Sequence, residues 1–448
     1  MTKKITTVIL LGLVLVGGFF RITAFQNNKY IHGDIWLNLS LVKSIVTEGR
    51  LVIPYPADKP YYYDTSRLGG RFSDQHPPLW PMLGAAVMKV FNLDNSFNAL
   101  KLITLLSGVL LIYLAWLTGK TLFDDRVGLF AAALVTCSFL LIDYSANGAL
   151  YILQANLYLL LILINYQIKD FKAYLLNGAI LGIGYLLNYQ NVILVLAVGL
   201  YYLMNFRRDL AGLIKAGLTT YLPALLIISP WLLANYYVFG DPFYNVTSTY
   251  YWQKLGLSQD IVGNLIFYHP TAATYQELFR KILFQWLPNN LYYVNRKLFI
   301  LAPLTYIFSL LGALHYFFKN KLSQPKNKNR TLIPFILILH VSPGVIFPIF
   351  QFRWFVPILP LIFLLGSHYL FNTVPRAKKK ILIPATLVLT IIFSWLTYFG
   401  NPTHTYYYDG ALTTGAFGGN AEQDMTNNYE QSRDYINYNY YVQDGNLK

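Results

Sequence analysis

The chain has 448 residues, of which 55% are hydrophobic and only 12% charged, and it carries a formal net charge of +15. Soluble domains hold about 25% charged residues, so this composition excludes an ordinary soluble protein. A single cysteine, Cys137, excludes an internal disulfide and a cysteine-based zinc site.

In chain order, apolar runs recur at close to the ~20 residues that a helix needs to cross a bilayer. They predict an all-α polytopic membrane protein with about 11 spans, near 5–25, 99–119, 126–143, 149–167, 173–189, 191–206, 212–238, 298–318, 331–350, 354–373 and 381–399. The first follows Lys3 and Lys4 and lacks a small-residue cleavage site, so it reads as an uncleaved span. With the N-terminus inside, the short inner loops gather about half of all Lys and Arg residues, and orientation follows that bias. Their only acids are Asp124, Asp125, Asp170 and Asp209. The positive charge is therefore a topology signal of a cell-membrane protein, and nucleic acid falls away as a partner.

This orientation makes residues 1–399 one polytopic domain, with large outer loops at 26–98 and 239–297 and an outer tail at 400–448. Loops of that length are usually functional or disordered. The first begins IHGDIWLNLS, and the apolar spacing after Asp34 predicts an amphipathic helix on the membrane that ends near Gly49. Asp34 at its start is either a helix cap or a carboxylate placed for chemistry. Next come Pro-rich residues that hold Arg71 and His76 near headgroup level, and then a second interfacial helix at 79–91. Further along, Asp143 and Asn147 sit at an outer span end, and Arg280 and Lys281 lie in the second large loop. Arg353 emerges between two spans after a very short loop. Ionisable groups at so apolar a boundary are costly and more often functional.

The order of these features resembles the GT-C membrane glycosyltransferases, in particular the protein O-mannosyltransferases and lipid A aminoarabinose transferases. Asp34 matches the first acid of that family's acidic motif, and His76-Pro77-Pro78-Leu79 matches its Pro-Pro segment. PWLLANYYVFGDPF at 230–243 and FRWFVPILP at 352–360 resemble two later segments, with Arg353 in the Arg position of the second. Ile35 stands where a second acid is common, and Ala234 where an Arg is common.

The resemblance implies transfer of a sugar from a polyprenyl-phosphate donor to a hydroxyl acceptor on a protein, lipid or glycan, on the outer face, with inversion. An acceptor hydroxyl needs a carboxylate to take its proton, and Asp34 is the candidate base. Negative charge grows on the leaving phosphate and calls for cations. Arg353, His76, Arg71, Arg280 and Lys281 are the candidates, while Asp143 or Asn147 could orient acceptor or sugar. Membrane lipids are further expected partners. No cofactor is implied by ligand spacing, and a role for a divalent cation stays open. The rival readings are a transporter or flippase of lipid-linked sugars, and a polymerase or ligase using such sugars. The first usually shows internal repeats, and no clear one is present.

Overall fold

The structure is a computed structural model, and it describes residues 2–27, 33–54, 70–72, 77–168, 171–244, 272–319, 332–346, 352–399 and two short strands at 442–443 and 446–447. Helices dominate. In order they are α1 (Lys3–Asn27), α2 (Gly33–Glu48), α3 (Leu79–Val90), α4 (Ser96–Leu122), α5 (Asp125–Cys137), α6 (Phe139–Tyr144), α7 (Tyr151–Gln167) and α8 (Phe171–Leu187). Then follow α9 (Val192–Asn205), α10 (Leu210–Phe239), α11 (Ala272–Lys281), α12 (Leu287–Leu301), α13 (Pro303–Lys319), α14 (Leu332–Ile346), α15 (Leu359–Asn372) and α16 (Arg376–Phe399). Two antiparallel pairs of short strands complete the set: β1 (Val52–Pro54) with β2 (Gly70–Phe72), and β3 (Val442–Gln443) with β4 (Asn446–Leu447).

Among the described residues, helix occupies most of each predicted span, and residues 347–350 of the span 331–350 lie outside them. By length and composition, four helical stretches among the described residues can cross a bilayer alone: Lys3–Gln26, Ser96–Leu122, Leu210–Phe239 and Arg353–Asn372. Together α12 and α13 pass the same test, but they meet at a bend of 119°. Large apolar side chains on α1 and α10 point outward at helical spacing, among them Leu11, Leu15 and Phe19, and Leu218, Leu222 and Leu226. Bands of that kind suit a hydrocarbon solvent, because a water-soluble monomer seldom exposes so large an apolar patch.

Two helices carry Ser-Pro pairs that solve a local problem. Proline lacks the N–H that would reach the carbonyl four residues back. In α10 the carbonyl freed by Pro230 is that of Leu226, and the Ser229 hydroxyl donates to it at 2.9 Å. In α14 the carbonyl freed by Pro343 is that of Leu339, and the Ser342 hydroxyl donates to it at 2.9 Å. Without water nearby, such rescue removes the cost of an unsatisfied backbone group.

The predicted span 126–143 is not one helix. It breaks at Ser138, whose backbone is extended (φ −69°, ψ 114°), into α5 and the short α6. The tight LNYQN turn between α8 and α9 is a 3-10 turn over Tyr189–Asn191, capped by Asn188 Oδ1 accepting from the Gln190 N–H.

Contacts between helix ends sort into two groups. Ends predicted outside meet one another: the Lys101 ammonium reaches the Phe25 carbonyl, Asn188 meets Gln154, and the Trp231 indole donates to the Tyr189 hydroxyl at 3.0 Å. Ends predicted inside do the same. Lys120 pairs with Asp125 at 3.6 Å, Phe123 stacks on His368, and Gln167 reaches Thr121. This is the alternation that a serpentine bundle requires.

Candidate functional site

The first loop supplies a platform. Asp34 is the second residue of α2, so the backbone places it in the first turn, where N–H groups lack helical partners and negative charge is favoured. Its side chain lies outside the described residues, as does that of Arg71, whose backbone in β2 pairs with Ile53. His76 lies wholly outside them. The helix ends as predicted at Gly49, in a left-handed conformation with φ +70°.

Ile35, at the position where the resemblance expects a second acid, is 1% exposed in an apolar cluster with Leu39, Val42, Trp80 and Leu100. A carboxylate on this face would be buried among hydrocarbon, which is strongly unfavourable. The helices α2, α3 and α4 meet so closely that a Cβ at Gly84 would fall 2.6 Å from both Val42 Cγ2 and Leu100 Cδ2. Packing therefore fixes the helix whose first turn carries Asp34.

Beside the platform lies a junction of α1, α4, α5 and α6. Asp143 and Asn147 are both buried, and the Asn147 amide donates to Asp143 Oδ2 at 3.3 Å. Asn147 Oδ1 also accepts from the Ala149 N–H at 2.9 Å, so part of its role is to hold the turn into α7. Two cations that the sequence reading passes over are buried here. Arg21, 0% exposed, donates from Nη2 to the Val135 carbonyl, from Nη1 to the Gly17 carbonyl and from Nε to Ser145 Oγ, at 3.0–3.1 Å. The Val135 carbonyl is free because the break at Ser138 removes its helical donor, Phe139. Lys101 lies over the rings of Phe25 and Phe97, with its ammonium 4.4 Å and 5.0 Å from their centroids. A lone cation inside an apolar run was the available signal, but near a span end it reads equally as a group reaching for the headgroups.

The third part centres on a 3-10 segment, Phe352–Ile358, which carries half-buried Arg353. It packs against α7 and also touches α6 and α14. In a 3-10 segment the Trp354 carbonyl would accept from residue 357, but that residue is Pro357, which has no N–H. His340 Nε2 contacts this carbonyl instead. His340 is 2% exposed, and its Nδ1 is 2.9 Å from the Tyr158 hydroxyl. Gln154 Nε2 donates to that hydroxyl at 3.0 Å, and Gln154 Oε1 accepts from Asn188 at 3.4 Å. A buried polar chain thus runs from the LNYQN turn to the residue after Arg353.

The structure therefore brings the segment of Arg353 to the helix of Asp143 and the start of α7. Arg280 and Lys281 stand apart on α11, whose main packing among the described residues is with the π-helical turn Ile282–Trp286 that follows it. Arg280 is exposed, and Lys281 pairs with Glu277 at 3.2 Å. Among the described residues, no three His, Cys, Asp or Glu side chains gather as metal ligands.

Residues 75–233 match the family model described as dolichyl-phosphate-mannose-protein mannosyltransferase. The fold is matched by the oligosaccharyltransferase of Archaeoglobus fulgidus in its apo form, with a TM-score of 0.63 at 13% identity. That alignment covers 100% of this chain and 61% of the other. The fold is that of the GT-C glycosyltransferases. The oligosaccharyltransferase AglB from Archaeoglobus fulgidus, in complex with an inhibitory peptide and a dolichol-phosphate, matches with a TM-score of 0.58 at 14% identity, over 99% of this chain and 60% of that one. ArnT from Cupriavidus metallidurans in the apo state matches this chain with a TM-score of 0.51 at 14% identity, over 85% of this chain and 62% of the other. The chain spans about three fifths of the length of the structures it matches. Comparison with curated protein sequences finds no match.

Proposed function

We propose that this GT-C chain is an inverting glycosyltransferase of the cell membrane, moving one sugar from a polyprenyl-phosphate donor to a hydroxyl acceptor on the outer face. The observation that carries the proposal is the placement of half-buried Arg353 in a 3-10 segment packed on α6 and α7 within a GT-C fold. A dolichol-phosphate complex of a protein with the same fold supports a lipid phosphate as the leaving group. The N-terminus lies inside, and the site and residues 400–448 lie outside, in keeping with the Lys and Arg bias of the short loops.

In the reaction, the acceptor oxygen attacks the anomeric carbon from the side opposite the phosphate. The bond from that carbon to the phosphate oxygen breaks, and its electron pair leaves with the polyprenyl phosphate. Asp34 takes the acceptor proton. Attack on one face with departure from the other inverts the anomeric centre. Arg353 offsets the charge gained by the leaving phosphate, with His76 and Arg71 as further candidates from the first loop. Arg280 and Lys281, on α11, are the remaining cationic candidates from the second large loop. Asp143 and Asn147 hold the turn beside the acceptor side of the site, and the acceptor class (protein, lipid or glycan) is for assay to decide.

The test is Asp34→Asn in the full chain, purified in detergent and supplied with undecaprenyl-phosphate-linked sugars. Loss of a general base typically costs about 10²–10⁴-fold in turnover, with undecaprenyl phosphate still bound. Wild-type turnover in this variant would remove Asp34 from the base role.

A further inference from the structure

The chain of polar side chains behind Arg353 has a direction that its chemistry fixes. A backbone carbonyl can only accept, so His340 Nε2 must carry the hydrogen it gives to the Trp354 oxygen. In the neutral ring Nδ1 then accepts, and the Tyr158 hydroxyl is its donor at 2.9 Å. The Tyr158 oxygen in turn receives a hydrogen from Gln154 Nε2 at 3.0 Å. Each member fixes the next: Asn188 orients Gln154, Gln154 orients Tyr158, Tyr158 selects the histidine tautomer, and the histidine holds the backbone beside Arg353.

The need for this chain arises at Pro357. Its ring fixes the local backbone and removes the one N–H that would have served the Trp354 carbonyl within the 3-10 segment. In α10 and α14 the equivalent gap is closed by the neighbouring serine, within the same helix. Here the donor comes from another helix, so closing the gap also anchors the segment to α14 and, through Tyr158, to α7. A fully buried histidine in an apolar bundle is costly unless both nitrogens are used, and both are used.

We infer that His340 and Tyr158 are positioning residues: they hold the Phe352–Ile358 segment, and with it Arg353, in the conformation that meets the donor phosphate. The inference rests on the reading that Arg353 contacts that phosphate. Tyr158 and His340 touch no substrate in this assignment and act only through the backbone of residue 354.

The experiment measures binding of undecaprenyl phosphate to the full-length chain in detergent micelles, together with KM for the donor and kcat. His340→Phe removes the hydrogen and keeps the bulk. It should weaken undecaprenyl phosphate binding about tenfold, the scale of one lost buried hydrogen bond, and raise KM for the donor more than it lowers kcat. His340→Gln keeps an N–H for the carbonyl and should recover most of the binding, which also serves if the Phe variant folds poorly. Adding Pro357→Ala to His340→Phe returns the missing backbone donor and should restore binding, which a packing role for histidine would not explain. In an Arg353→Leu background, His340→Phe should cause no further loss. If Arg353→Leu abolishes binding while His340→Phe leaves it intact, the positioning role is overturned and the Arg353 reading stands. If Arg353→Leu has no effect, the phosphate reading fails, and the inference built on it goes with it. If Pro357→Ala gives no rescue and His340→Phe weakens binding equally with and without Arg353, the histidine acts elsewhere and the inference is overturned.

Discussion

Two buried hydrogen-bond networks, an inner one at helix ends predicted inside and an outer one at helix ends predicted outside, end differently. The inner one is closed. Asn165 and Asn177 exchange amide hydrogen bonds at 2.9 Å in both directions, Asn177 donates to the Tyr202 hydroxyl at 2.9 Å, and Tyr202 meets Thr220 at 2.8 Å. Its members sit on α7, α8, α9 and α10 and satisfy mainly one another. The outer one, from Asn188 to His340, is open: it ends on the backbone of a short 3-10 segment beside a half-buried arginine. A closed network ties helices together. An open one transmits position to a group that is not part of it, so the two should fail in different ways when cut.

The largest effect is expected at the open end. Arg353→Leu should lower sugar transfer about 10²–10³-fold, the usual cost of removing one donor to a developing anion, with little change in the thermal unfolding midpoint. A steady-state assay beside an unfolding scan in the same detergent separates the two. Equal loss in both would erase the contrast with the inner network.

Asn177→Leu should behave in the opposite way. It leaves the Asn165 amide and Tyr202 hydroxyl short of partners and should cost about 1–2 kcal/mol of stability, with turnover per folded molecule unchanged. Loss of activity without loss of stability would mean that the inner network also serves the site. A smaller effect is expected from Ser342→Ala, which uncovers the Leu339 carbonyl left by Pro343. The loss should be about 1 kcal/mol, read as a lower unfolding midpoint. The smallest belongs to Lys120→Gln, which breaks an exposed pair with Asp125. Surface pairs contribute about 0–1 kcal/mol, so an unfolding scan should show almost no shift.

Much of the fold was legible in the sequence because a bilayer forces it. Spans must be apolar and helical, and runs of that kind stand out in the sequence. Gly49 and the LNYQN turn were readable for local reasons, since a left-handed cap and an Asn-capped turn depend on neighbours in the chain. The break at Ser138 was not. Nothing in CSFLLID distinguishes it from continuous helix, and it is held by Arg21, more than a hundred residues away in the chain. His340 was equally hidden. Its meaning depends on Tyr158 and on the Trp354 carbonyl, to which Pro357 has no N–H to give, three segments that only packing brings together.

By itself, then, the sequence determined the membrane class and the succession of helices, because these follow from local hydropathy and short motifs. Tertiary structure alone decided that Ile35 is core where an acid was expected, that Arg21 closes a broken helix, and that the Arg353 segment is held from α14 and α7. Each of those depends on the partner a buried polar or apolar group finds across the bundle, and the chain does not write that partner beside it.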